Sequence, residues 1–268
     1  YTAVSQLPHE ISEYDVAGGI AGKALELVKC QTVDLLVPAQ SEIVIEGYIS
    51  LEELEMEGPF GEFPGYMARR DYSYFMDVTC ITMRRNPIYQ AFLSQFPPSE
   101  SSKLRGIGKE NMIRRRLIEE GIDNLMDIHI VEASGSYGVI LVKIRKQHAD
   151  DGKKVLKIIG ESNHIGKMCI VVDEDIDIYD PSAVYWALAF HMLPHRDASI
   201  VDIQRMSLDP SIVDPVSGRE NLSETGERTT ALLLDATRDW AFPPIALPKK
   251  EFMENAIQIW NRLGLPEL

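Results

Sequence analysis

Two glutamates flank a short glycine- and proline-containing segment in the first quarter of the chain. The segment Glu57-Gly-Pro-Phe-Gly-Glu62 holds the two carboxylates at either end of residues that favour a tight turn. Two carboxylates held close together repel each other, so one of them retains its proton more readily and can act as a general acid near neutral pH. The alternative is a surface turn with two solvated acids. Phe60, Phe63 and Tyr66 favour the catalytic interpretation, because a solvated turn needs no apolar anchors.

Other polar clusters offer weaker chemistry. Glu13 follows Ser12, a plausible helix N-cap, and a glutamate there commonly offsets the helix dipole. The acidic run 173–177 ends an apolar strand, where carboxylates can bind Mg²⁺ or can simply be solvated. His164, close to Lys167, could help to hold a phosphate.

Several enzyme classes lack their usual sequence marks. No G-x-S-x-G, P-loop, G-x-G-x-x-G or zinc-type histidine and cysteine spacing occurs. Hydrolase, kinase and dinucleotide-fold functions therefore have no support from motifs.

Composition limits the class of protein and its partners. The 268 residues are 45% hydrophobic and 25% charged, which excludes a disordered or coiled-coil chain. The net charge of −14 disfavours nucleic acid or an anionic membrane as the main partner. No apolar run is long enough to span a membrane. Three isolated cysteines in apolar stretches predict buried free thiols and a reducing compartment, so a cytoplasmic location is expected: Cys30, Cys80 and Cys169.

The pattern of elements changes near residues 97–102. Residues 26–95 are rich in β-branched strand segments, and the Gly- and Pro-rich stretch 57–66 predicts a loop between strands. Beyond Pro98, helices and strands alternate as in an α/β layer. The patterns predict helices at 103–121, 151–160, 181–192 and 249–263, strands within 128–144, 168–178 and 199–203, and a polar looped stretch at 213–237.

Taken together, these stretches resemble the UbiD family of decarboxylases. The matching segments are SEYDVAGG at 12–19, LVKCQTVDLLVPA at 27–39, SEIVIEG at 41–47, EGPFGEFPGY at 57–66, VVDEDID at 171–177, LDP at 208–210 and DAT at 235–237. They follow the order of the family and span nearly the whole chain, and the stretch 57–66 is the most specific. The resemblance implies decarboxylation, in some members reversible, of an aromatic or α,β-unsaturated acid with prenylated FMN.

The resemblance also implies roles for individual residues. Glu62 would donate the proton that replaces CO₂, and Glu57 would be the second carboxylate of a Glu–Arg–Glu network. Glu13 would bind a divalent metal, usually Mn²⁺, that holds the cofactor phosphate, and Lys167 would contact the cofactor. Backbone carbonyls in Thr2–Ser5 match a K⁺ site.

The fold implied by the resemblance is α+β. Residues 1–97 would be part of a flavin-binding split β-barrel, and residues 98–268 a C-terminal α/β domain that builds a homo-oligomer, a dimer or hexamer. Family members are usually longer, and their upstream segment carries the catalytic arginine and further metal ligands. Arg69 and Arg70 do not match that arginine. We therefore expect this chain to be the C-terminal portion of a longer protein, or a subunit that a separate chain completes. By itself it would carry half of the site.

Two alternatives stay open at this stage. One is an accessory subunit of a multi-protein carboxylase, which binds partners without catalysing. The other is a flavin-dependent oxidoreductase on the same barrel.

Overall fold

A five-stranded mixed sheet dominates the second half of the chain. The computed structural model describes residues 7, 9–162, 166–204, 208–214 and 228–266. The strands of the sheet lie in the order β10-β11-β9-β8-β7, with parallel pairing of β11, β9 and β8 and antiparallel pairing at both edges. Their bounds are β7 Leu125–Ile130, β8 Val139–Ile144, β9 Met168–Asp173, β10 Ala198–Gln204 and β11 Arg228–Ala236.

Helices cover both faces of this sheet. The helices of this region are α2 Glu100–Glu119, α3 Asp151–Gly160, α4 Pro181–Phe190 and α5 Pro194–Asp197, and a short 3₁₀ turn, Glu132–Ser134, lies between β7 and β8. Alternate residues of each strand point to opposite faces, so that Val142 and Val171 pack with α2 and α3, whereas Leu141 and Val172 pack with α4. The result is a helix–sheet–helix layer with apolar strands buried on both sides.

The N-terminal region is built differently. After α1 (Glu13–Ala21), six strands pair in three separate antiparallel ladders: β1 Leu27–Lys29 with β2 Leu36–Pro38, β3 Ile43–Ile49 with β6 Met76–Met83, and β4 Glu55–Glu57 with β5 Asp71–Ser73. The described residues show no closed sheet here, so the expected split β-barrel is not seen as a barrel. No Ala, Val, Ile, Leu, Met, Phe, Trp, Tyr or Cys side chain is buried among the described residues before Ile113.

A buried carboxylate ties two of these ladders together. Glu46 of β3 is 3% exposed and accepts hydrogen bonds from the backbone N–H groups of Gln31 and Thr32, at 2.9 and 2.7 Å. The Thr32 hydroxyl donates a third, at 2.8 Å. These hydrogen bonds, led by that from Gln31, lower the pKa of Glu46. Glu46 therefore links the loop between β1 and β2 to β3.

Three expectations from the sequence need correction. The stretch 213–237 was expected to be looped, but residues 228–236 form β11, the strand between β10 and β9. The strand expected at 168–178 ends at Asp173. Cys169 is buried as predicted, and burial raises its pKa to about 12, whereas Cys30 and Cys80 are only half-buried.

The chain divides into two compact units, residues 1–237 and 238–268. The second unit contains α6 (Lys250–Arg262), where the Trp260 indole N–H donates to the carbonyl of Pro266 at 2.6 Å. None of the residues of α6 is buried.

Candidate functional site

The two glutamates of the Gly-Pro-Phe-Gly segment lie at the two ends of a constrained loop. Glu57 is the last residue of β4, opposite Asp71 of β5, and its side chain is exposed. Glu62 is half-buried at the far end of the loop, where its N–H donates to the Tyr66 carbonyl at 2.9 Å. Gly58, with φ +79°, lets the chain leave β4 sharply. The structure thus gives the two carboxylates different environments.

This loop is packed against the second half of the molecule. A side chain at Gly61 would come within 2.8 Å of Gln95, and one at Gly65 within 2.9 Å of the Phe96 ring. On the other side, the Phe63 ring lies directly against Gly135, where an added Cβ would be 3.1 Å from it. The position of Glu62 is therefore fixed by contacts with the 95–96 segment and with the turn after the 3₁₀ helix.

Arg105 of α2 is the cation next to Glu62. Its guanidinium stacks on the Phe63 ring at 4.0 Å from the centroid and donates to the Gly135 carbonyl at 3.4 Å. Burial lowers the pKa of Arg105, and the Glu62 carboxylate opposes that shift. Arg105 forms no ion pair at contact distance within the described part of the chain.

Lys109 lies one turn further along the same helix. Its ammonium is 4.3 Å from the centroid of the Tyr137 ring. Burial, and then the positive charge of Arg105, lowers the pKa of Lys109 from 10.5 to about 8. The sequence predicts this helix as a basic amphipathic helix, and it gives neither Arg105 nor Lys109 as a site residue.

Lys167 approaches the same region from the start of β9. Its ammonium is 2.6 Å from an Asp209 carboxylate oxygen and also contacts the Ser211 hydroxyl. Burial acts to raise the pKa of Asp209, but the hydrogen bonds from Lys167 and Ser211 outweigh it, and the pKa is lowered. Asp209 in turn adds to the effect of burial in raising the pKa of Tyr137.

These groups form a continuous series that we call the charged row. Each member is an electrostatic or contact neighbour of the next, in the order Glu62, Arg105, Lys109, Tyr137, Asp209 and Lys167. The structure thus brings Glu62 and Lys167, two of the residues named from the sequence, to one region. The contacts of Glu57 and Glu13 do not connect either residue to the row.

Glu13 is the first residue of α1 and is exposed. Ser12 caps the helix as predicted, accepting from the Tyr14 N–H at 3.2 Å. Within the described ranges, no group of three or more His, Cys, Asp or Glu side chains is arranged to hold a metal ion. The expected K⁺ site at Thr2–Ser5 and His164 lie outside the described residues.

The acidic run 173–177 and the DAT segment have structural partners. Glu174 pairs with Arg145 at 2.6 Å, and an Asp177 oxygen accepts from the Tyr179 N–H at 2.9 Å. The buried Asp235 accepts from the N–H and hydroxyl of Thr237. Among the described helices, none is both long and apolar enough to cross a membrane.

Comparison with known families places both halves of the chain. The model of the 3-octaprenyl-4-hydroxybenzoate carboxy-lyase Rift-related domain, UbiD, matches residues 1–97. The model of the C-terminal domain of the same carboxy-lyase, UbiD_C, matches residues 105–227. An uncharacterized protein of Archaeoglobus fulgidus is 32% identical over 275 residues, which cover 98% of this chain and 54% of that protein.

Solved structures agree with these matches. The UbiD-class enzyme HmfF from Pelotomaculum thermopropionicum, in complex with FMN, is 30% identical with a TM-score of 0.79, over 96% of this chain and 56% of its own. An evolved dimeric form of HmfF, in complex with prFMN, has a TM-score of 0.75 at 28% identity, over 93% and 52%. Vanillic acid decarboxylase of Sedimentibacter hydroxybenzoicus has a TM-score of 0.75 at 25% identity, over 97% and 56%.

The chain therefore spans about half the length of the relatives it matches. Its mixed α/β fold resembles UbiD-class structures along almost all of its length. The two family models, one after the other along the sequence, confirm the resemblance seen in the residues. The chain belongs to the UbiD family.

Proposed function

We propose that this chain carries the proton-donating part of a prenylated-FMN-dependent enzyme that decarboxylates, or in reverse carboxylates, aromatic or α,β-unsaturated acids. The observation that carries the proposal is Glu62, a half-buried carboxyl group on a loop fixed from both sides, beside Arg105. The FMN and prFMN complexes of HmfF and the named activity of the vanillic acid decarboxylase support it. When bound, the flavin supplies the electron sink needed when CO₂ leaves an sp² carbon.

Glu62 delivers a proton to the carbon from which CO₂ has left. A general acid must lie within hydrogen-bond reach of its target, and the packing of Phe63 and Gly65 holds this loop in one position. Glu57, at the exposed end of the same loop, is proposed as the second carboxylate of the site. The arginine that would pair with it belongs to the segment that family members carry upstream.

The residues present fit part of a metal and cofactor site. Glu13 is exposed and has no ion pair in the described part of the chain, and carboxylate oxygen suits Mn²⁺ or a similar divalent cation. One carboxylate does not make a site, so Glu13 would supply one ligand among several. Lys167 would reach the cofactor while keeping Asp209 as its partner. A K⁺ ion at Thr2–Ser5 completes the proposed set of cofactors.

The other half of the site is proposed to come from a polypeptide that matches the remainder of the relatives' length. Residues 1–97 would then complete a flavin-binding split β-barrel with it, and residues 98–268 would form the C-terminal α/β domain of a homo-oligomer. The apolar strands before Ile113, all without buried hydrophobic side chains, are the observation that favours such a partner. The intact mass of the purified protein distinguishes a separate chain from an upstream segment of the same polypeptide.

The test is a matched pair of substitutions in the flavin-loaded protein. We expect Glu62→Gln to lower CO₂ release from an aromatic acid by at least about 100-fold, the usual worth of a general acid, while flavin binding is retained. Glu55→Gln, an exposed change in β4, is the control and should keep full activity. CO₂ release is measured by trapping labelled carbonate, and flavin binding by absorbance.

The two other interpretations predict different results. An accessory subunit would purify without flavin, and Glu62→Gln would then change nothing. A flavin oxidoreductase would bleach the flavin absorbance when an acid is added without oxygen, and it would release no CO₂. If the protein does release CO₂ and Glu62→Gln keeps full activity, this result contradicts only the role of Glu62 and not the proposed decarboxylation.

A further inference from the structure

Two of the three free cysteines lie in neighbouring segments of the N-terminal ladders. Cys30 follows β1 and donates its N–H to the Leu35 carbonyl at 3.0 Å, where the loop between β1 and β2 begins. Cys80 lies in β6, opposite Glu46 of β3. Both thiols are free and half-buried, so a small reagent can reach them, whereas Cys169 is buried in β9.

Hydrogen bonds hold the segment of Cys30 against the segment of Cys80. Thr32, two residues after Cys30, donates its N–H to the Glu46 carboxylate at 2.7 Å. The hydroxyl oxygens of Thr32 and Thr79 are 2.6 Å apart, and Thr79 directly precedes Cys80. Cysteines that form a disulfide have Cα atoms about 4.4–6.8 Å apart. Two segments whose threonine side chains are in contact lie in about that range.

The pairing of β3 with β6 turns the Cys80 side chain towards the loop between β1 and β2. Residues that are directly opposite in an antiparallel ladder project from the same face. The Glu46 carboxylate reaches the loop from that face, so Cys80 faces the loop as well. The register passes from Glu46 opposite Cys80 to Gly47 opposite Val78, so both Cys80 and Thr79 lie opposite Glu46.

The two thiols are close enough to influence each other's titration. Burial raises the pKa of Cys30, and the negative charges of Glu46 and then of Cys80 add to that rise. Dithiol proteins that are strong oxidants stabilise their reduced form through a thiolate of low pKa. The surroundings of Cys30 do the opposite, and they therefore favour the disulfide once an oxidant is present.

We propose that Cys30 and Cys80 are a reversible disulfide pair that fastens the loop between β1 and β2 to β6 when the protein is oxidised. One thiolate attacks a low-molecular-weight disulfide, forms a mixed disulfide and expels one thiol. The second thiolate attacks the protein sulfur of this mixed disulfide and expels the other thiol. Two protein thiols thus become one disulfide, and the oxidant takes up their two electrons and two protons. The proposal does not depend on the decarboxylase function.

The cross-link closes a segment that contains most of the N-terminal ladders. Residues 30–80 include β2, β3, β4 and β5 together with the loop that carries Glu62. The strands of these ladders bury no apolar side chain, so packing within this chain contributes little to hold them. Closing a long loop restricts the unfolded chain and stabilises the closed segment. Oxidation therefore makes the ladders open less often.

Peptide masses test the cross-link directly. The purified protein, with any complementary polypeptide that accompanies it, is incubated with oxidised glutathione, and the remaining thiols are then alkylated. Trypsin cleaves after Lys29, Arg70 and Arg84, so the two cysteines fall in separate peptides. We expect one species that joins the peptides of Cys30 and Cys80 and is two hydrogen masses lighter than their sum. Dithiothreitol should separate it again.

Three variants distinguish this pair from the other cysteine and from a chance cross-link. Cys30→Ser and Cys80→Ser should each leave the remaining thiol as a mixed disulfide with glutathione. Cys169→Ala, which removes the buried third cysteine, should keep the cross-link. In the unsubstituted protein, separate glutathione adducts on both cysteines, or a cross-link that forms only in urea, would overturn the proposal. Either result would show that the two sulfur atoms do not meet in the folded chain.

Hydrogen exchange tests whether the disulfide fastens the ladders. Oxidation should slow the exchange of the β3 and β6 amides by at least about tenfold, because the closed segment opens less often. The amides of β8 and β9, in the sheet that holds Cys169, should change less. Cys80→Ser treated with the same oxidant should show no slowing. If the cross-link forms but the β3 and β6 amides exchange as fast as before, the disulfide does not fasten the ladders and the proposal is wrong.

Discussion

At the scale of single residues, the positive charge of Lys109 should destabilise the folded chain. Its pKa is about 8 in the folded chain and 10.5 when unfolded, so folding disfavours the charged form. We expect Lys109→Met to raise the free energy of unfolding at pH 7 by about 1 kcal/mol, less than the whole shift implies because the site is open to water and the contact with Tyr137 is lost. Urea unfolding at several pH values measures it.

The sign of the pH dependence distinguishes this account from a simple packing effect. Between pH 8 and 10.5 the unfolded chain holds a proton that folded Lys109 has lost, so the stability of the unsubstituted protein rises with pH over this range. The difference in the free energy of unfolding between Lys109→Met and the unsubstituted protein should therefore become smaller above pH 8. If Lys109→Met is instead less stable than the unsubstituted protein at pH 7, and the difference in the free energy of unfolding does not change with pH, then Lys109 stabilises the fold through packing.

At the scale of elements, the bulge in β3 needs glycine at position 47. The register of β3 with β6 shifts between Glu46 and Gly47, and a Cβ on Gly47 would lie 2.3 Å from the Asp77 carbonyl oxygen. Because that atom belongs to the backbone, the two strands must separate. We expect Gly47→Ala to destabilise the ladder by about 1–3 kcal/mol, measured by hydrogen exchange of the β3 and β6 amides. Gly19→Ala in α1, where the added methyl meets no atom, should be neutral or stabilising.

The elements that the sequence predicts well are those whose signals are local. Helix α3 has its predicted bounds, 151–160, because its apolar residues repeat with a helical period. Strand β11 was missed because the polar residues before it outweighed the short apolar run Ala231–Leu234. Its place between two other strands follows from the pairing of distant segments, which no local pattern shows.

The residues of the candidate site also include some that the sequence predicts and some that it does not. Glu57 and Glu62 stand out in the sequence because glycine, proline and aromatic residues surround them. Arg105 and Lys109 do not, since basic residues on a helix resemble an ordinary solvated face. Only the contacts with Phe63 and Tyr137, from loops far apart in the sequence, separate these two cations from the other basic residues of α2.

At the scale of the whole molecule, the N-terminal ladders present apolar side chains that a partner should cover. Ile45 and Ile81 are paired across β3 and β6, and both are 54% exposed. Burial of one isoleucine is worth about 1.5–3 kcal/mol, so covering this face would stabilise a complex. The partner that we propose is a polypeptide that matches the part of the relatives not covered by this chain. We expect the chain alone to bind a hydrophobic dye and its complex with that polypeptide to lose the dye.

A charge on this face should break the complex without unfolding the C-terminal sheet. Ile45→Asp is expected to weaken the complex more than about tenfold, because the new carboxylate would be buried without a partner. Ile118→Asp is the control, because Ile118 on α2 is similarly exposed, at 59%, but lies outside the N-terminal ladders. Sedimentation of the mixed polypeptides measures both. If Ile45→Asp assembles as well as the unsubstituted chain, the partner lies elsewhere, and the proposed completion of the barrel on β3 and β6 is wrong.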